Sequence, residues 1–255
     1  MNARPVRGPA DANAVAHVFV DALDDRCEIT GDDGHHLQRV RRLTAGEIVT
    51  LADGSGAWRT YEVVDAADRR LGLEARGEVA IECDPTIGVE LAVALTKGGL
   101  DDVVAAVTEL GVVRVTPVRT ARVVVRWDEA RARKAVARLR AVAREAAMQS
   151  RRARIPEIDE VVDLAAILER PDLVVADQAG VGAAVLARPD PNRPKPAWTV
   201  LVGPEGGLTP DELDRLAGLG GAPRLRLGPH VLRAATAPIA AVAVLTAEAA
   251  RLLPE

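Results

Sequence analysis

Apolar and polar positions follow two different patterns along the chain. In the first 80 or so residues, short alternating stretches predict strands. HVFVDAL fits one strand, and EIVTLADGSGAWRTYEVVDA fits a hairpin that turns at residues 53–56. Between them, GHHLQRVRRLTAGE predicts a short helix that ends at Gly46. The pattern therefore predicts a small β-rich domain over residues 1–82, which begins with a loose polar leader over residues 1–13.

Beyond this domain, strands and helices alternate. VELAVALT, VVRVTPV, DLVVAD, WTVLVG and RLRLG predict strands. DDVVAAVTELG, VVDLAAILE and PDELDRLAGLG predict helices, as do a long amphipathic stretch over residues 128–149, a short stretch near Val181 and a terminal run from about Ala235. This alternation is typical of a mostly parallel sheet covered on both faces, so residues 87–255 are predicted to form an α/β domain.

The charge is unevenly distributed. The net formal charge is −4, which argues against a protein that simply coats nucleic acid. Residues 114–154, however, hold twelve Arg and one Lys against three acids, a balance of +10. Such a block predicts a face that meets phosphates, with Arg138 and Arg144 of the long helix on it. The alternative is an ordinary solvated helix face.

Other simple features narrow the class of protein. Cys27 and Cys83 lie far apart, without a CxxC or Cys/His cluster, so we expect neither a disulfide framework nor a metal site. The sequence has no stretch typical of a signal peptide or a membrane span, so we expect a cytoplasmic protein with no membrane association. The five aromatic residues disfavour a module that stacks several bases.

The segment TVLVGPEGGLTPDEL is the most informative. An apolar strand ends at Gly203, and Thr209 and Glu212 fit the two positions of a helix capping box. Gly206 and Gly207 fit a tight turn, but glycines at the carboxyl end of a parallel strand also let the backbone approach a ligand. We therefore predict a ligand-binding loop here, with a plain turn as the alternative.

A second segment repeats this arrangement. Strand RLRL ends at Leu227, Gly228 begins a turn, and Arg233 precedes an apolar helix. A cation there opposes the helix dipole, which favours a contact with RNA or a cofactor carboxylate over a solely structural role. Gly180 and Gly182 also follow a strand, but the third glycine of a dinucleotide-binding fingerprint is missing.

Taken together, GPEGGLTPDEL, LGPHVLRAATAP, LTKGG…TELGV…TPV and MQSRRARIPEI resemble the RsmE-type 16S ribosomal RNA uridine-N3 methyltransferases of the SPOUT superfamily. HHLQRVRRLTAGEIVTLADG is similar to their N-terminal PUA-like β-barrel domain, so the resemblance spans nearly the whole chain. It implies a C-terminal SPOUT domain with a trefoil knot, S-adenosylmethionine as cofactor, a homodimer, and 16S rRNA or the small ribosomal subunit as partner.

By position, the resemblance implies two cofactor-binding loops. Their residues are Leu201, Val202, Gly203, Pro204, Glu205, Gly206, Gly207, Leu227, Gly228, Val231, Leu232 and Arg233. With the basic helix and the small domain, the candidate RNA-binding residues are His36, Arg39, Arg42, Lys97, Arg138, Arg144, Gln149, Ser150 and Arg152. Arg152 and Arg233 are the catalytic candidates, because a cation favours the uridine anion. No general base is identified, and His230 is left without a role.

Three positions depart from the family pattern. Met148 and Ala235 stand where the family often has Glu, and Ala106 stands where it commonly has Lys. Two other functions therefore stay open. One is a related SPOUT methyltransferase acting on a ribose 2′-hydroxyl or a tRNA base. The other is a non-catalytic RNA-binding factor in ribosome assembly.

Overall fold

A computed structural model describes residues 8–9, 13–31, 43–67, 70–125, 127–218 and 221–252. The chain forms two compact units, one of Met1–Asp84 with Ala147–Ile155 and one of Pro85–Ala146 with Pro156–Glu255. Three predictions lie largely or wholly outside the described residues: the leader, the short helix ahead of Gly46, and the RNA-binding candidates His36, Arg39 and Arg42.

The N-terminal unit contains a five-stranded sheet. Its strands are β1 (Ala14–Phe19), β2 (Arg26–Ile29), β3 (Ile48–Ala52), β4 (Ala57–Ala67) and β5 (Arg70–Ile81), in the order β1-β3-β4-β5-β2. The predicted hairpin is confirmed, since β3 and β4 pair antiparallel on either side of residues 53–56. Alternate residues of these strands, among them Leu51, Tyr61 and Leu73, are buried in one apolar core.

The segment Ala147–Ile155 packs within this N-terminal unit, although the sequence pattern places it in the second domain. Ala147 and Ala153 are buried in a cluster with Phe19 and Ala52. The Arg154 guanidinium lies against the hairpin turn, where a Cβ on Gly56 would come within 2.5 Å of its Cζ atom. The sequence pattern misses this arrangement because the helical periodicity of the preceding residues continues to the end of the long helix.

The C-terminal unit is built on a parallel sheet. Its strands are β6 (Gly88–Ala94), β7 (Arg114–Arg119), β8 (Glu157–Ile158), β9 (Val162–Asp163), β10 (Leu173–Val181), β11 (Ala197–Val202) and β12 (Arg224–Leu225). They lie in the order β12-β10-β11-β6-β7-β8, with β9 also pairing β7, and all pairs are parallel. Every residue of the central strand β11 is buried, as expected for a continuous apolar strand in a parallel sheet.

The helices of this unit largely match the apolar pattern. They are α1 (Leu100–Glu109), α2 (Glu129–Gln149), α3 (Leu164–Leu168), α4 (Pro210–Gly218) and α5 (Thr236–Arg251). Two predictions are wrong in part. Val162–Asp163 form β9 before α3 begins, and Val181 ends β10, with a 3₁₀ helix over Ala183–Val185 after it. Short apolar runs do not distinguish a strand from a buried helix.

Within the described ranges, each helix is too short or too polar to cross a lipid bilayer.

Candidate functional site

The GPEGG loop, defined here as residues 203–208, connects β11 to α4. The predicted capping box at its end is confirmed: the Thr209 amide donates to Oε2 of Glu212 at 2.8 Å, and the Glu212 amide donates to Oγ1 of Thr209 at 3.2 Å. Gly207 has a φ of +68°, a conformation that favours glycine. A Cβ on Gly203 would come within 3.3 Å of the Leu208 side chain. The loop is thus a fixed turn at the carboxyl end of a buried strand.

The second loop, residues 226–235, connects β12 to α5. The backbone carbonyl of Arg233 accepts hydrogen bonds from the amides of Thr236 and Ala237, both at 2.9 Å, which ends the loop and begins the helix. Val231 is 80% exposed, and Arg233 is exposed as well. This loop lies at the same end of the sheet as the GPEGG loop, because the strands before them run parallel.

The two loops enclose one cavity of about 360 Å³ in the C-terminal unit. Nine of the twelve predicted cofactor-binding residues line it: Val202, Gly203, Pro204, Glu205, Gly207, Leu227, Gly228, Val231 and Leu232. The other three do not. Leu201 is fully buried in the sheet, Gly206 faces Arg122, and Arg233 is absent from the lining although its neighbours Leu232 and Ala234 are part of it.

A third wall of the cavity comes from β10, which the sequence analysis missed. Ala176 and Val181 both pair with Leu225 of β12, so residues 177–180 loop out of the strand. Asp177 and Gln178 on this excursion line the cavity. Gly180 and Gly182, which do not complete a dinucleotide-binding fingerprint, are the local signal for this bulge. The bulge thus places on the cavity lining an acidic side chain that is paired with Arg224, 3.4 Å away.

Two more residues outside the predicted set contact the GPEGG loop or the first turn of the helix that follows it. Nη1 of Arg122 donates to the backbone carbonyls of Gly206 and Leu208 at 2.9 and 3.3 Å. The Ala121 amide donates to Oε1 of the buried Glu212 at 2.8 Å. No local signal predicts these contacts, because they join residues more than 80 positions apart. His230, left without a role above, also lines the cavity.

The candidate RNA-binding residues fall into separate places. Lys97 is exposed in the loop after β6. Arg138 on α2 is exposed, and its Nη2 atom lies 3.1 Å from Oδ1 of Asp101, which neutralises part of its charge. Arg144 on the same helix is half-buried. Within the described residues, no group of three or more His, Cys, Asp or Glu side chains is arranged to hold a metal ion.

Gln149, Ser150 and Arg152 lie in the segment that packs within the N-terminal unit. Burial lowers the pKa of the Arg152 guanidinium, a shift that the charge of Glu82 opposes and that of Arg154 reinforces. An arginine remains charged at neutral pH despite such a shift. The Arg152 carbonyl accepts a hydrogen bond from Nε2 of His17 at 3.0 Å. This segment therefore contributes to the packing and hydrogen bonding of the N-terminal unit.

The three departures from the family pattern occupy ordinary structural positions. Met148 packs against the core of the N-terminal unit. Ala235 precedes the first residue of α5, and a Cβ on Gly99 would lie 3.9 Å from the Ala235 Cβ atom, so the loop after β6 lies beside the start of α5. Ala106 is half-buried on α1. None of the three supplies a charge.

Comparisons with known proteins agree with this architecture. Residues 83–246 match the model of an RNA methyltransferase domain, and residues 29–74 match that of an RNA methyltransferase PUA domain. The first match covers more than half of the chain and includes every residue that lines the cavity. The second includes β3, β4 and the beginning of β5 in the N-terminal unit.

Relatives are similar over most of their length. "Ribosomal RNA small subunit methyltransferase E" from Mycobacterium bovis is 37% identical over 245 residues, covering 89% of this chain and 91% of the relative. The protein of that name from Bacillus subtilis is 30% identical over 231 residues, covering 86% and 88%. A Legionella pneumophila protein assigned as a methyltransferase, solved with bound cofactor SAM, is 26% identical, with a TM-score of 0.78 over 91% of this chain and 97% of its own. The chain belongs to the ribosomal RNA small subunit methyltransferase E family.

Proposed function

We propose that this chain uses S-adenosylmethionine to methylate N3 of a uridine in the 16S ribosomal RNA of the small ribosomal subunit. The observation that carries the proposal is the cavity where β10, β11 and β12 end, between two glycine-bearing loops. Ligands bind at this edge of open parallel sheets. The names of the relatives, and the cofactor in the similar Legionella structure, support the activity and the cofactor.

The residues present fit this cofactor. A volume of about 360 Å³ lies within the range of roughly 300–1,000 Å³ that is usual for small-molecule sites. Leu225, Leu227 and Leu232 offer an apolar wall for an adenine ring. Glu205 places a carboxylate on the lining, which suits a ligand with a sulfonium and an ammonium group. Asp177 also lines the cavity, with its Oδ1 accepting from the Ala179 amide at 2.8 Å and its Oδ2 lying 3.4 Å from Nη1 of Arg224. We propose that the two loops hold the rest of the molecule through backbone groups.

When bound, S-adenosylmethionine supplies an electrophilic methyl group on a sulfonium. The task of the chain is then to hold the uridine in line with that group and to favour the anion that N3 forms when its proton leaves. We propose that Arg233, beside the cavity lining, contributes positive charge for this purpose. Arg152 is the second candidate and lies in the N-terminal unit. Because Ala235 carries no carboxylate, no proton acceptor is assigned at that position.

We also propose that the active form is a cytoplasmic homodimer that binds ribosomal RNA or the small subunit. The resemblance stated above supports the dimer, and the match to a PUA domain supports the binding of RNA. Light scattering on the purified protein tests the dimer. A mass of one chain at micromolar concentration would contradict it.

Nucleoside mass spectrometry of 16S rRNA from a deletion strain tests the reaction. We expect 3-methyluridine to disappear and to return with the wild-type gene. Complementation with Gly203→Val should fail, since a Cβ there already meets Leu208, whereas Gly182→Ala should succeed because a Cβ there meets open space. Retention of 3-methyluridine in the deletion strain refutes the proposal. Loss of a 2′-O-methyl group or a tRNA modification instead supports the related SPOUT enzymes.

Calorimetry distinguishes the enzyme from a non-catalytic assembly factor. We expect the purified chain to bind S-adenosylmethionine, and the Gly203→Val variant to bind it much more weakly. A wild-type protein that binds ribosomal RNA but shows no heat with S-adenosylmethionine would favour the assembly factor.

A further inference from the structure

Arg122 belongs to the connection between β7 and α2, yet its side chain lies along the GPEGG loop. Its Nη1 atom reaches the carbonyls of Gly206 and Leu208, which flank Gly207. A Cβ on Gly206 would lie 3.5 Å from the Arg122 Cβ atom, so the two backbones run close together. A charged donor on two carbonyls gives stronger hydrogen bonds than a neutral donor does.

The neighbouring residue, Ala121, contacts the first turn of α4, directly after the loop. The Ala121 amide donates to Oε1 of Glu212, while Oε2 accepts from the Thr209 amide in the capping box. Glu212 is only 7% exposed, so loss of either partner leaves a buried carboxylate oxygen without its donor. Arg122 thus contacts the GPEGG loop itself, and Ala121 contacts the first turn of the helix that follows it.

The contacts of Arg122 bear directly on the cavity. Gly203, Pro204, Glu205, Gly207 and Leu208 line it. The carbonyls bonded to Arg122 belong to Leu208, which is in this lining, and to Gly206, which lies between two lining residues. Loop glycines carry no side chain to hold their conformation, and Gly207 needs a positive φ. The loop has one internal hydrogen bond, from the Gly207 amide to the Pro204 carbonyl at 2.8 Å. The hydrogen bonds from the exposed Arg122 side chain add a second restraint on the loop conformation before a ligand arrives.

We infer that Arg122 is a positioning residue for the cofactor: it holds the GPEGG loop in the conformation that receives S-adenosylmethionine. The inference rests on the proposed function. Arg122 does not line the cavity, and it acts through the loop carbonyls. Its loss should weaken cofactor binding more than it slows the methyl transfer of a saturated enzyme, because saturation restores the loop conformation.

Titration calorimetry with S-adenosylmethionine on the full chain provides the first test. We expect Arg122→Ala to raise Kd about tenfold, which corresponds to about 1.4 kcal/mol, and Arg122→Lys to fall between wild type and Arg122→Ala. Arg215→Ala is the matched control. It removes an exposed arginine from the last turn of α4, the helix that follows the same loop. Steady-state assays should show a raised KM for the cofactor with kcat little changed. A Kd for Arg122→Ala within twofold of that of Arg215→Ala overturns the inference.

Hydrogen exchange on the protein without cofactor provides an independent test. We expect amides of the GPEGG loop to exchange faster in Arg122→Ala and in Arg122→Lys than in wild type or Arg215→Ala, with far-UV circular dichroism unchanged. Unchanged exchange in both Arg122 variants contradicts the inference even if cofactor affinity falls. If exchange accelerates but the wild type binds no S-adenosylmethionine, the proposed function fails while the role of Arg122 in the loop stands.

Discussion

His17 should make the N-terminal unit sensitive to mild acid. The side chain is buried, and this burial lowers its pKa to about 4 from an ordinary value of 6.5; the hydrogen bond with the Arg152 carbonyl opposes the shift, and the charge of Arg151 adds to it. Nε2 donates to that carbonyl, so in the neutral ring Nδ1 accepts from the Thr50 hydroxyl at 2.8 Å. The fold therefore holds the ring in one neutral tautomer.

The direction of the pH dependence follows from the two pKa values of His17, 6.5 in the unfolded chain and about 4 in the folded unit. Above pH 6.5 the ring is neutral in both states and the contribution to stability is complete. Between pH 6.5 and 4, His17 becomes protonated in the unfolded chain but stays neutral in the folded unit. The free energy of unfolding therefore decreases as the pH falls. The loss is about 2 kcal/mol at pH 5 and approaches about 3 kcal/mol below pH 4, at 1.36 kcal/mol for each unit of pKa.

Urea unfolding at a series of pH values measures this loss, with hydrogen exchange of the peptide that contains β1 as a local probe. The His17→Gln variant is the reference, because it shares the other titrating groups and keeps a polar side chain. We expect the wild type to lose about 2 kcal/mol more than His17→Gln between pH 7.5 and pH 5. Parallel curves for the two proteins would refute the reasoning, as would an NMR titration that places the pKa of His17 near 6.5.

Two further predictions concern the cavity and the basic helix. Gly180→Ala should destabilise the C-terminal unit by about 1–3 kcal/mol and weaken cofactor binding in calorimetry, because a Cβ there would lie 2.4 Å from the Arg224 carbonyl oxygen and would displace the excursion of β10. The double variant Arg138→Glu/Arg144→Glu should bind ribosomal RNA at least about fivefold more weakly, with a smaller dependence on salt in filter-binding assays.

Each of these changes has a matched control. Gly182→Ala, two residues further on, introduces a Cβ that meets no atom within 4 Å, so it should leave stability and cofactor affinity unchanged. Arg215→Glu/Arg251→Glu makes the same change in charge away from α2. Equal effects of Gly180→Ala and Gly182→Ala would show that β12 does not constrain the excursion. Unchanged RNA affinity on charge reversal would exclude Arg138 and Arg144 from the RNA-binding face.

The sequence predicts what depends on local pattern. The hairpin at residues 53–56, the capping box of Thr209 and Glu212, and the parallel α/β organisation all follow from periodicity and turn chemistry. The two strand ends that line the cavity were also predicted, with help from the resemblance.

What the sequence did not predict depends on contacts between distant residues. The excursion that brings Asp177 to the cavity exists because Ala176 and Val181 pair with the same residue of β12. Arg122 meets the GPEGG loop across more than 80 positions. No window of sequence contains both partners of such a contact. The trefoil knot implied by the resemblance is likewise a property of how the whole chain is threaded, and it stays a prediction.

The packing of Ala147–Ile155 within the N-terminal unit has a consequence for synthesis on the ribosome. Phe19 and Ala52 are translated about a hundred residues before Ala147 and Ala153, which share their cluster. The nascent N-terminal unit therefore exposes that apolar surface until residues 147–155 have been translated. A fragment that stops at Asp84 should therefore be aggregation-prone, and a separate peptide spanning Ala147–Ile155 should improve its solubility.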